Sequence, residues 1–99
     1  MTPDDFRRIA LELPEAVEGT HMGHADFRVG NKIFATLPDD ATGMVKLAPE
    51  QQELFMRVDP AFIPAKGAWG RQGCTLVLLA KVSEDLLRDA LTAARQARH

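Results

Sequence analysis

With 99 residues, 45% of them hydrophobic and 26% charged, the chain has the composition of one soluble globular domain and the length for one modest core. A net charge of −2 removes any global attraction to nucleic acid or anionic lipid, and a single cysteine rules out a disulfide framework within the chain. No apolar run approaches the roughly 20 residues that cross a bilayer, and Met1-Thr2-Pro3-Asp4-Asp5 lacks the basic-then-apolar pattern of a signal peptide, so a cytoplasmic protein without a membrane partner is expected.

In chain order, Thr2 can cap a helix, Pro3 suits its first position, and Asp4 and Asp5 complement the positive end of its dipole. Phe6, Ile9, Ala10 and Leu13 then form one apolar stripe, which predicts a helix over 3–13 closed by Pro14. Beyond it the period changes to two. Residues 16–21 alternate weakly, 25–29 and 32–37 alternate better, and Gly30-Asn31 between the last two is a hairpin signal. Residues 38–43 read as a loop, 44–48 as a strand, and 49–58 as a short helix stopped by Asp59-Pro60. Residues 64–73 are too rich in Gly and Pro to be regular, and the apolar run 74–80 reads as a buried strand. Ser83 caps a final helix that carries Leu86, Leu87, Ala90, Leu91 and Ala94 at helical period to about Ala97. Arg95, Arg98 and His99 fall at its cation-favouring end. The order predicts one α+β domain over 1–99, with two layers: an antiparallel sheet of about four or five strands packed by N- and C-terminal helices.

The stretch His21-Met22-Gly23-His24-Ala25-Asp26-Phe27-Arg28-Val29-Gly30-Asn31-Lys32-Ile33-Phe34-Ala35-Thr36-Leu37 resembles the central hairpin of the MmcQ/YjbR family. Met44 to Glu50 is similar to that family's strand leading into a helix, and Gly67 to Gly73 to its loop before the last strand. The likeness runs in order along essentially the whole chain. Cys74 departs from it, because an aromatic residue is expected there. The resemblance implies a CyaY-like fold and a DNA-binding role without an established activity.

Contacts with DNA phosphates need placed cations, and charge is unevenly distributed. Residues 1–22 carry a balance of −3, and residues 61–83 carry Lys66, Arg71 and Lys81 with no acid, a balance of +3. With Arg28, Lys32 and Lys46 on predicted strands or turns nearby, the candidate contacts to duplex DNA are Arg28, Lys32, Lys46, Lys66 and Arg71. Register decides which of them share a face. A two-residue turn at Gly30-Asn31 pairs Val29 with Lys32 and Phe27 with Phe34, and puts Arg28 and Lys32 on opposite faces; a three-residue loop leaves Lys32 in the loop. The simpler reading of all five is a mixed, solvated surface.

Trp69, between glycines, is the candidate ligand-binding residue, able to stack on a base or small molecule; a lone Trp in such a segment more often packs back into the core. Gly67-x-x-Gly70-x-x-Gly73 lacks the preceding strand, the following helix and the Lys-Ser/Thr ending of a phosphate loop. His21, His24 and Asp26 are metal-ligand types at a poor spacing, so no metal and no cofactor are expected; histidines so placed more often satisfy backbone groups at a strand end. Cys74 heads an apolar strand where burial keeps a thiol protonated, and Asp39-Asp40 sit adjacent in a loop rather than across a cleft. No catalytic residue is therefore assigned. The leading expectation is a non-enzymatic DNA-binding module, monomeric or weakly dimeric; the alternative is a small-molecule or protein-interaction module with a pocket beside Trp69.

Overall fold

The computed structural model describes residues 1–98. Helix α1 (Pro3–Glu12) begins where the sequence provides a capping box: the Thr2 hydroxyl accepts from the Asp5 amide at 3.1 Å, and the Asp5 carboxylate accepts from the Thr2 amide at 2.8 Å. It ends at Leu13, which is extended, as the residue before a proline must be. Strands β1 (Val17–His21), β2 (His24–Val29), β3 (Lys32–Leu37) and β4 (Thr42–Lys46) follow as a meander. Helix α2 (Pro49–Val58), strand β5 (Phe62–Pro64), the short helix α3 (Gly67–Arg71), strand β6 (Cys74–Leu78) and helix α4 (Glu84–Gln96), capped by Ser83, complete the chain.

The six strands form one antiparallel sheet in the order β1-β2-β3-β4-β6-β5, one or two strands more than the alternation predicts. The difference lies in the Gly/Pro-rich region, where β5 is only three residues long and ends in Pro64. Proline fits there because β5 is an edge strand and forms its pairs only with β6. Residues 67–71, expected to be irregular, form α3 instead.

Helices α1 and α4 lie across one face of the sheet. The row Phe27, Ala35, Val45 and Thr75, paired strand to strand, points toward them and is fully buried. Phe6 of α1 meets Phe27 with ring centroids 5.8 Å apart and lies over Gly43, where a Cβ would stand 2.3 Å from its ring. That contact explains why a glycine in the expected loop belongs to a strand. Across the outer surface of α1 and α4, Arg8 and Arg88 exchange ion pairs with Glu12 and Glu84 at 3.1–3.7 Å. Helix α2 packs at the far end of the sheet, with Phe55 against Phe62 at 5.1 Å.

The β2–β3 turn has two residues, Gly30 and Asn31, both at positive φ (57° and 66°), the geometry of a type I′ hairpin. It pairs Val29 with Lys32, as the two-residue alternative has it, but Phe27 faces Ala35 and not Phe34. A bulge makes the difference: the register shifts between Phe27 and Arg28, so β3 carries one extra residue. Phe34 and Ala35 are then both fully buried, while Ile33 and Thr36 both lie on the opposite face, beside Arg28 and Asp26.

Candidate functional site

The alternate residues of the same strands form a face that α1 and α4 leave open and that the short helix α3 borders. Its central row runs Asp26, Thr36, Met44, Leu76 and Ile63 across five strands, with Arg28 beside Ile33 and Lys46 beside Cys74. On this face a groove of about 410 Å³ is lined by His21, Ile33, Thr36, Met44, Lys46, Ala65, Lys66, Trp69 and Cys74. Its walls are largely apolar, and among the described residues its charged groups are the ammoniums of Lys46 and Lys66, with no carboxylate in the lining. That combination suits a ligand with a flat apolar part and an anionic part.

Trp69 stands at the end of the groove and is 65% exposed, so it does not plug the core. The local chain explains the position. Helix α3 lies tight against the preceding residues: a Cβ on Gly70 would be 1.9 Å from the Ala65 carbonyl oxygen, and one on Gly73 equally close to that of Leu47. Gly73 also has φ of 109°, a conformation few side chains accept. Gln52 of α2 fastens the segment from the other side, its amide nitrogen donating to the carbonyls of Gly70 at 3.0 Å and Cys74 at 3.1 Å. The glycines therefore allow close packing that leaves the indole outside.

The five predicted cations do not form one surface. Lys46 and Lys66 line the groove with Trp69. Arg28 shares the face, but its guanidinium is held by Asp26 through two hydrogen bonds, Nε to Oδ1 at 2.8 Å and Nη2 to Oδ2 at 3.0 Å. Those bonds hold the buried Asp26 carboxyl below the usual carboxylate range and raise the Arg28 guanidinium above its own. The Arg28 charge is thereby spent within the fold. Lys32 lies on the helix-covered side of the hairpin, and Arg71 is exposed at the end of α3 outside the groove wall.

His21 and His24 face each other across the β1–β2 turn and are both exposed. Among the described residues, no three His, Cys, Asp or Glu side chains come together as a metal site. Cys74 is buried in the groove wall; β2, β3 and β4 separate its strand from that of His21.

The family model for YjbR matches residues 11–97. The chain belongs to the YjbR family. No curated protein matches it. Among solved structures, the crystal structure of Deinococcus radiodurans protein DR2400, which carries the family-model domain DUF419, is similar with a TM-score of 0.75 at 24% identity. The match covers 94% of this chain and 75% of that one, and at this identity it shows a shared fold.

Within this YjbR fold the groove brings together Trp69, Lys46 and Lys66, which the sequence marks as candidates, with residues that it does not mark. Met44, Ile33 and Thr36 read as strand interior, and only the bulge places the last two together on the open face. Gln52 reads as helix surface. Its one signal is its place in the first turn of a helix that buries no residue, where a polar side chain is free to tie down a neighbouring loop.

Proposed function

We propose that this YjbR-family chain is a non-enzymatic binding module whose ligand lies in the groove of the sheet face opposite α1 and α4. The flat or apolar part of the ligand rests on Trp69, Met44 and Ile33, and its anionic part meets Lys46 and Lys66. The observation that carries this reading is an apolar concavity whose wall holds an exposed tryptophan and two ammoniums that have no carboxylate partner among the described residues. A binding role also suits the reactive side chains present: the Cys74 thiol is buried, and among the described residues no hydrogen bond joins it to an imidazole.

The chain has one tryptophan, so intrinsic fluorescence reports on the site directly. Titration with a mononucleotide such as adenosine monophosphate, a flat anion of suitable chemistry, is expected to quench Trp69 saturably, and the change is lost in the Lys46→Gln, Lys66→Gln double variant. Quenching that is linear or indifferent to the double variant would overturn the reading.

A second reading is duplex DNA, supported by Lys46 and Lys66 in the groove wall and Arg71 at the end of α3 beyond it. Three phosphate contacts give a shallow salt dependence, with a slope of log K against log salt of about −2.7. Anisotropy of a labelled duplex at about 50 and 200 mM salt separates the two readings. Binding with that slope, weakened by Lys66→Gln and Arg71→Gln, selects DNA; quenching by the mononucleotide without duplex binding selects the groove ligand.

A further inference from the structure

A second cleft, of about 280 Å³, lies away from the groove where the β2–β3 turn meets the last turn of α4 and the α1–β1 connection. Three cations, Lys32, Arg95 and Arg98, line it with one acid, Glu15, and with Val29 and Gly30. We propose that this cleft is an oxyanion site that takes a phosphate group.

Charge balance is the first argument. Arg7, Arg8, Arg28, Arg57 and Arg88 each have a carboxylate within 4 Å, and Arg71, at the end of α3, has none among the described residues. Lys32 and Arg98 have no such partner among the described residues, and the one carboxylate near Arg95 is Glu15 at 3.7 Å, itself 83% exposed. Among the described residues, three cations drawn around one cleft against one exposed acid leave an excess of positive charge that an anion would relieve.

Hydrogen bonding is the second. Arg95 is a fixed donor: its side chain is 15% exposed, its Nε donates to the Pro14 carbonyl at 2.8 Å, and its Nη2 stands 3.7 Å from the exposed Glu15 carboxylate, an ion pair that a phosphate in the cleft would share or displace. Arg98 Nε is the one buried side-chain nitrogen or oxygen among the described residues that has no hydrogen-bond partner. A buried donor without an acceptor is costly, and Arg98 would relieve that cost by turning its guanidinium toward a phosphate bound in the cleft. The attraction of a helix C-terminus for cations accounts for Arg95 and Arg98. It accounts for neither Lys32, which comes from a strand and is held in place by the I′ turn, nor the orphan Nε.

The phosphate could belong to a free phosphorylated molecule or to a nucleic-acid backbone, and the test distinguishes them. Inorganic phosphate titrated at constant ionic strength into isotope-labelled protein should shift the amide resonances of Gly30, Lys32 and Arg98. The dissociation constant should rise about tenfold in Lys32→Gln and in Arg98→Gln and stay unchanged in Lys66→Gln. The same two variants are then compared for duplex affinity: a parallel loss makes the source backbone phosphate, and an unchanged duplex affinity makes it a small phosphorylated ligand. Absence of phosphate-dependent shifts at these residues, or equal affinity in wild type and both variants, overturns the site. Lys66→Gln separates this result from the groove, because a failed groove leaves the cleft titration untouched.

Discussion

The two faces of this sheet are written in alternate residues of the same strands, yet they do different work. Toward α1 and α4 stand Phe27, Ala35, Val45 and Thr75, each fully buried; one step along, the row Thr36, Met44 and Leu76 is only half-buried and faces away from both helices. Two helices suffice to cover one face of a six-stranded sheet, and the third long helix, α2, packs at the β5 end. The packing therefore concentrates on one face and leaves the groove on the other. If that division holds, substitutions on the two faces should separate cleanly into those that unfold the protein and those that alter only its ligand.

The sharpest break would come at Phe6. Its ring is fully buried between Phe27 and Gly43, so Phe6→Ala removes a large side chain from the covered face and should cost about 3–5 kcal/mol in urea unfolding. A loss below about 1 kcal/mol would mean that the helical layer is looser than its packing implies. Gly70→Ala should follow. The new methyl cannot coexist with the Ala65 carbonyl at 1.9 Å, so α3 must move, and the Trp69 emission maximum should shift together with a loss of roughly 1–3 kcal/mol. An unchanged emission maximum would show that α3 does not set the position of the indole.

Asp26 is the exception that tests the division, because it belongs to the open row yet is fully buried under Arg28. Its carboxyl has a lower proton affinity folded than unfolded, so its contribution is complete above the usual carboxylate range and is lost as pH falls through the depressed folded value. Wild-type stability should therefore fall below about pH 4, and Asp26→Asn should be less stable at neutral pH with a flatter acid limb. Urea unfolding across pH 2–7, with both proteins compared, checks this; identical acid limbs would place the ion pair outside the stability of the fold.

Local chemistry made much of the fold legible. Thr2, Pro3 and the pre-proline Leu13 bounded α1, Pro49 and Asp59-Pro60 bounded α2, and Ser83 opened α4, because caps and prolines act on their immediate neighbours. The β3 bulge was not legible: Ile33-Phe34-Ala35-Thr36 can alternate in either phase, and only tertiary burial of both Phe34 and Ala35 decides between them. Glycines misled twice, at Gly43 and Gly70, since close packing and turns use the same residue for different reasons. The groove was half legible for a similar cause. Its cations and tryptophan stood out by type, but what assembles them is sheet order and the Gln52 tie, which join residues far apart along the chain. Arg95 and Arg98 had a sufficient local explanation in the helix dipole, which hid the cleft they share with Lys32.

The smallest expected change in stability is also the one that sharpens the comparison most. Lys66 is exposed and makes no ion pair among the described residues, and Trp69 is 65% exposed, so neither side chain contributes much to packing. Lys66→Gln and Trp69→Leu should each alter unfolding free energy by no more than about 0.5 kcal/mol. Groove binding followed by calorimetry, which does not rely on the indole, should weaken about tenfold in Lys66→Gln, the scale of one charge-assisted hydrogen bond, and at least as much in Trp69→Leu. Phosphate-induced shifts at the Lys32 cleft should be the same as wild type in both. Loss of stability comparable to Gly70→Ala would instead mean that Trp69 anchors α3, and that the open face is held in place by the residue assigned to its ligand.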